Sequence, residues 1–216
     1  MSIPKKERFS QKLLLEGKDD LFVTAAICEK SAVVETFDLI DCDGVDNISA
    51  HVELYCLKKR PSVETIGVIL DADISLESRW QSLKKQLESL GYELPLQPDK
   101  NGTIIEGRDR NPTIGIWLMP DNNATGMLED FVKFLVPEED TLLVEADRIL
   151  REIEQEHLHK YGLIHKSKAR IHTWLAWQED PGTPLGLAIT KNYLTTQSEH
   201  CQQFVAWLNR LFAIEA

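Results

Sequence analysis

No stretch of this 216-residue sequence approaches the ~18 apolar residues that a membrane-spanning helix needs; the longest apolar runs, such as 65–70, stop far short. The N-terminus, Met1-Ser2-Ile3-Pro4-Lys5-Lys6, is basic, but no apolar stretch follows it, so no signal peptide is expected. Positive charge is scarce as well: 24 Lys and Arg stand against 35 Asp and Glu, a net charge of −11. An acidic surface repels phosphate, which excludes a protein that coats nucleic acid through a broad basic face. Cysteine is limited to Cys28, Cys42, Cys56 and Cys201, with no CxxC spacing. A zinc site is therefore not expected, and reduced thiols in or near a core suit a cytoplasmic location. Neither a GxxxxGK[ST] loop nor a GxGxxG occurs, so nothing indicates a nucleotide cofactor. Repeats and low-complexity tracts are absent. The balance of 43% hydrophobic and 27% charged residues excludes a disordered chain, a collagen-like repeat and a coiled-coil rod.

Apolar runs alternate with helical patterns along the chain. Strands are expected at 12–16, 37–40, 65–70 and 114–119. The third of these, Thr-Ile-Gly-Val-Ile-Leu, has the unbroken apolar character of a parallel strand covered on both faces. Helices are expected at 19–30, from a cap at Asn47 to about Lys59 with Pro61 as the stop, at 76–90, 126–136 and 142–159, and over most of the chain beyond 164. Asp180-Pro181-Gly182-Thr183-Pro184 reads as a loop, and Ser198 as the cap of a last amphipathic helix. The segment 92–112 holds three prolines and the turn signal Asn101-Gly102, which suggests a hairpin or loop insertion. The expected class is α/β: a mostly parallel central sheet of about four strands between helices. A core over 8–137, with the 92–112 insertion, carries a helical C-terminal extension over 138–216.

Ligands bind at the carboxyl ends of the strands in open α/β sheets. There the sequence places Glu16 and, four residues on, Asp20; then Asp71 and Asp73; then Asp121, Glu129 and Asp130. Any one of these alone is most simply a helix cap. The set Glu16, Asp71 and Asp73 is harder to explain that way. Residues two apart on an extended strand end point the same way, so Asp71 and Asp73 should face one site. Clustered like charges call for a compensating cation, and hard carboxylate oxygens suit Mg²⁺ or Mn²⁺. A pair of such ions can clamp an in-line phosphoryl displacement.

Glu16-Gly17-x-x-Asp20 after a first strand, Asp71-x-Asp73 after a later one, and Gly126-x-Leu128-Glu129-Asp130 further on resemble the Toprim fold of topoisomerases, bacterial primases, small RNA-maturation nucleases and the OLD-family (overcoming lysogenization defect) nucleases. The resemblance covers about residues 10–136 and the Lys-rich stretch at 165–170. Small stand-alone Toprim-like proteins of unknown function share stretches such as Asp71-Ala72-Asp73 followed by Arg79-Trp80, Met119-Pro120-Asp121-Asn122, and 174–182 (Trp-Leu-Ala-Trp-Gln-Glu-Asp-Pro-Gly). The resemblance implies a magnesium-dependent nuclease. Glu16 would be a metal ligand or general acid/base, and Asp71 and Asp73 metal ligands. Asp20 would be the second early acid of OLD-type sites. Glu129, with Asp130, would complete a second metal. Lys168, or else Lys166, would steady transition-state charge. Departures matter too. The chain has no domain for a topoisomerase tyrosine or a primase template, and no ATPase of the OLD type. The reading therefore expects nucleic acid bound weakly by the protein alone, a separate ATPase partner or self-association, and no membrane.

Two rivals stand beside it. Phe37-Asp38-Leu39-Ile40-Asp41-Cys42-Asp43-Gly44-Val45 resembles the opening motif of haloacid-dehalogenase-type phosphatases, with Asp41 as nucleophile and Asp43 as general acid. That reading leaves Asp71 and Asp73 unexplained and sets the motif on the second strand instead of the first. The other rival is a metal-stabilised interaction domain without catalysis, using Trp174, Trp177 and Trp207 as an apolar surface; the simpler assignment for them is core. Arg79 can pair with the carboxylates or bind phosphate. Lys166, Lys168 and Arg170 form the basic cluster of the tail, and Arg108 and Arg110 of the insertion can flank substrate.

Overall fold

The computed structural model describes residues 8–57, 63–108 and 111–214. Lys59 and Pro61, expected to end the second helix, lie outside the described residues, as do Arg110 and the basic N-terminus. Among the described residues five strands form one sheet: β1 (Gln11–Leu15), β2 (Phe37–Asp41), β3 (Thr65–Asp71), β4 (Thr103–Ile105) and β5 (Thr113–Met119). Their order is β2-β1-β3-β5-β4, parallel throughout except for β4, which runs antiparallel to β5. The fifth strand lies in the segment read as an insertion. Asn101-Gly102 turns the chain into β4 and does not join β4 to β5; Gly102 takes φ +88° and donates its N–H to the Asp99 carbonyl. Three residues are too short a run to be visible as a strand by period.

The helices are α1 (Lys18–Lys30), α2 (Val45–Leu57), α3 (Leu76–Ser89), α4 (Leu128–Lys133), α5 (Thr141–Gln155), α6 (Lys166–Ala176), α7 (Leu185–Thr190) and α8 (Glu199–Leu211), with a 3₁₀ turn at Leu163–His165. Several boundaries differ from expectation. Helix α2 starts two residues before Asn47, whose side chain donates back to the Asp43 carbonyl from inside the helix. Helix α4 cannot include Gly126, which takes φ +141°. Helix α5 ends at Gln155 and not at His159, because His157 turns left-handed at φ +54°. Ser198 does cap α8, accepting from the Cys201 N–H. The cysteines are free.

Alternation of strand side chains sorts the core into two layers. Leu14, Ile66, Val68, Leu70, Ile114, Ile116 and Leu118 meet α2 and α3 on one face. Leu13, Leu15, Ile69, Trp117 and Met119 meet α1, α4, α6, α7 and α8 on the other. The C-terminal helices thus build the second face of the sheet. Helix α8 can approach so closely because Gly67 and Gly115 sit opposite each other on β3 and β5. A Cβ on Gly115 would stand 2.3 Å from Leu211 Cδ2. Phe212 stacks on Phe37, and Trp117 packs between Phe204 and Trp207. Trp174 and Trp207 are fully buried, so two of the three tail tryptophans are core; Trp177 is 41% exposed. Among the described residues no helix is long and apolar enough to cross a membrane.

Candidate functional site

The sheet changes direction of winding between β1 and β3: β2 lies to one side of β1, and β3, β5 and β4 to the other. Crevices at such switch points, beyond the carboxyl ends of the strands, are where α/β sheets take ligands. Glu16 follows β1 directly, and Asp71 is the last residue of β3. Glu16 Oε2 accepts the Asp71 N–H at 3.4 Å, tying the two strand ends together. Extended Gly17 turns the chain into α1 and places Asp20 in the first turn, 8% exposed. Asp20 Oδ1 is buried with no hydrogen-bond donor among the described residues. Asp71 Oδ1 accepts the Leu128 N–H at 2.9 Å, at the start of α4. The next residue, Glu129, is 3% exposed and lies 3.4 Å from the Lys168 ammonium of α6.

This crowding has electrostatic consequences. Burial first, then repulsion from Asp20, Glu16, Glu129 and Asp73, pushes the Asp71 carboxyl up to about 8. Burial and the charges of Glu16 and Glu129 push Asp20 up to about 7. Glu16 is also raised, chiefly by burial, against the pull of the Asp71 N–H and Arg79. Burial and like charge both disfavour the ionised form. At neutral pH the cluster therefore holds protons that free carboxylates would have released.

Asp73 departs from the expected geometry. Its φ of +53° ends the strand, and its backbone forms a two-way bridge with Gly126. Period-two alternation does not extend through a left-handed residue, so the two aspartates turn to different partners. Asp71 faces the start of α4, and Asp73 pairs with Arg79 of α3. Arg79 also donates Nε–H to the Asp71 carbonyl at 2.9 Å. It is thus held by one carboxylate, that of Asp73, and by the main chain of Asp71.

Asp130 is held by structure: its carboxylate accepts the Met127 N–H at the start of α4 and the hydroxyl of Ser167. Ser167 and Lys168, adjacent on α6, thereby meet Asp130 and Glu129, adjacent on α4. No local pattern pointed to Ser167, since 37 residues separate it from Asp130. Lys166 pairs instead with Glu154 at 2.5 Å. Asp121 makes a turn, accepting the N–H groups of Asn123 and Ala124. Asp41 and Asp43 lie at the end of the edge strand β2; Asp41 accepts the Asp43 N–H at 3.0 Å, and the Gly44 N–H bonds the Glu16 carbonyl.

The donor set is carboxylate oxygen, the kind a hard divalent cation takes, and among the described residues Asp20 Oδ1 is buried without a donor. Among the described residues no three such side chains stand together as a ready-made ligand group. Glu16, Asp71, Asp73 and Glu129 are each turned to a donor of their own.

A family model described as "Protein of unknown function (DUF3226)" matches residues 10–213. The chain belongs to that family. No curated protein and no solved structure matches it. The matched stretch contains β1 through α8, so Glu16, Asp71 and the helix that carries Lys168 all fall within it.

Proposed function

We propose that this protein is a metal-dependent phosphoryl-transfer enzyme, a nuclease of Toprim type, cleaving phosphodiesters at the β1/β3 switch point. The observation that carries the reading is the crowding of Glu16, Asp20, Asp71, Asp73 and Glu129 there, with Asp20 Oδ1 buried and lacking a donor among the described residues. A cluster so short of positive charge asks for cations from outside the chain. In the proposed enzyme these residues hold Mg²⁺ or Mn²⁺, which supplies charge neutralisation and a water of lowered pKa. Arg79 orients Asp73 and fixes the end of β3 through the Asp71 carbonyl. Glu16, fastened to the Asp71 N–H, is placed to take or return a proton. Lys168, half exposed beside buried Glu129, has the freedom to swing toward developing charge on the substrate. With a net charge of −11, the protein alone holds nucleic acid weakly, and a separate ATPase partner is part of the proposal.

The test is thermal melting with Mg²⁺ and Mn²⁺ titrated into wild type and Asp71→Asn, which keeps an acceptor for the Leu128 N–H. Binding to the folded state stabilises by RT ln(1 + [L]/Kd), ~2.7 kcal/mol at a hundredfold excess over Kd. A rise in wild type that vanishes in Asp71→Asn, followed by metal-dependent cleavage of plasmid, single-stranded DNA or RNA, is the expected result. No rise in wild type sinks the metal site.

A further inference from the structure

We propose that the depression between α5 and α6 is a docking site for the phosphodiester backbone of a single nucleic-acid strand, one that feeds the carboxylate crevice on the other side of α6. The inference rests on the reading under Proposed function and adds the route by which substrate reaches the site.

The charge of the chain is unevenly spread. Residues 148–170 carry six Lys and Arg against three Glu, in a protein whose net charge is −11. Within this segment, Arg151, Lys166 and Arg170 converge with Asp147 around an open depression of about 290 Å³. Lys166 and Arg170 are four residues apart and so share one face of α6. That face is turned to α5: Lys166 pairs with Glu154, and Arg170 Nε donates to Asp147. Lys168 and Ser167 leave the same helix toward α4 and meet Glu129 and Asp130. One short helix therefore presents cations both to the depression and to the crevice.

The bonding of the two arginines favours a phosphate ligand. Each is held through Nε alone, Arg151 to the Asp147 carbonyl at 3.1 Å and Arg170 to the Asp147 carboxylate. Neither has a hydrogen bond from its terminal amino groups among the described residues. An anchored guanidinium with a free fork is pre-oriented for two parallel bonds to phosphate oxygens. A helix with its side chains is ~10 Å across. A strand crossing α6 thus spans only a few nucleotides between the depression and Lys168. Two of the three cations already face Glu154 and Asp147, so the positive charge gathered here is small against a net charge of −11, which suits a narrow, flexible strand better than a rigid duplex.

The experiment is fluorescence anisotropy of a labelled 15-nucleotide single strand in EDTA, from 50 to 200 mM salt, with the full chain. Wild type should bind, more weakly as salt rises. Neutralising one phosphate-binding cation lowers the salt slope by ~0.7 and weakens binding about tenfold at 50 mM. Arg151→Gln and Lys166→Gln should each show that effect. Lys100→Gln, an exposed lysine on the turn before β4, should not. Arg151 gives up a single bond to a carbonyl, so its variant should melt like wild type and keep the full Mg²⁺ shift. Wild-type binding that none of these variants alters, or no binding at 50 mM, overturns the docking site while the Mg²⁺ shift stands by itself. Absence of the Mg²⁺ shift in wild type would instead overturn the reading on which this one rests.

Discussion

Strand β1 carries buried charge near both of its ends, and the two ends behave oppositely. Near its start, Lys12 is 2% exposed and lies opposite Asp38 of β2 in register. Its ammonium donates to the Phe9 carbonyl at 2.6 Å and to Asp38 at 2.7 Å. Burial by itself would raise the Asp38 carboxyl, but the bonds from Lys12 and from the Phe9 and Arg8 N–H groups outweigh it and hold the group below the usual carboxylate range. Beyond the other end lie Glu16, Asp20 and Asp71, all raised. A strand of this length spans only ~15 Å. Over that distance the chain supplies an ammonium for one buried charge, only backbone N–H groups for Glu16 and Asp71, and no donor among the described residues for Asp20 Oδ1. The first arrangement is complete within the protein. The second leaves its carboxyls raised above their usual range, and that difference is the ground on which the proposed metal site is put there.

Breaking the complete end should have the largest effect on stability. Removing one member of a buried pair typically costs 3–5 kcal/mol. Asp38 keeps two backbone donors, so Lys12→Met should destabilise by about 3 kcal/mol, read as a lower urea midpoint with an unchanged m-value.

The next effect is smaller and has the opposite pH dependence at the two ends. Asp38, lowered on folding, contributes stability above the ordinary carboxylate range near 4 and loses it as pH falls. Asp20 and Asp71, raised on folding, bind protons in the native state that the unfolded chain has already released. Their contribution is present below pH ~4 and disappears as pH rises through 7 and 8. Metal-free wild type should therefore lose stability from pH 5 to pH 9. Asp71→Asn should flatten that slope and be the more stable protein at pH 9, by about 2 kcal/mol. Saturating Mg²⁺ should remove the wild-type slope. Denaturation at four pH values in EDTA, with a matched series in Mg²⁺, checks all three; a wild-type slope equal to that of Asp71→Asn refutes the account.

Much of this contrast was legible in the residues themselves. The runs 12–16, 65–70 and 114–119 end in, or are soon followed by, acids, and a parallel sheet must bring those ends to one edge. What was not legible depends on single dihedrals or on distant parts of the chain. The left-handed turn at Asp73 redirects one carboxylate to Arg79. Strand β4 is too short to show a period. Lys12 read as the polar start of an apolar run, because its partner lies 26 residues away on another strand. The meeting of Ser167 and Lys168 with α4 depends on how α6 packs, which no local pattern encodes.

Lys168 tests whether the incomplete end borrows part of its balance from the C-terminal helices. Its side chain is 51% exposed while that of Glu129 is 4% exposed. Exposed partners contribute little, so Lys168→Gln should lower stability by about 1 kcal/mol or less. Catalytic rate should respond far more, by ~10²-fold, as expected when a positioned donor to developing charge is removed. Equal turnover by Lys168→Gln and wild type would remove the lysine from the mechanism.

The smallest effect is expected at Asp43, and it separates location from crowding. Asp41 and Asp43 also lie at the carboxyl edge, beside the loop bond that joins Gly44 to Glu16. They differ from the cluster in exposure: Asp43 is open to water, and its N–H is satisfied by Asp41. Asparagine tolerates the left-handed φ of +55° as well as aspartate does. Asp43→Asn should therefore change stability by no more than ~0.5 kcal/mol and leave both the Mg²⁺ shift and nucleic-acid cleavage intact. If Asp43→Asn instead abolished hydrolysis of p-nitrophenyl phosphate while Asp71→Asn spared it, the phosphatase reading would replace the nuclease. Position at the sheet edge, and not crowding, would then be what marks the site.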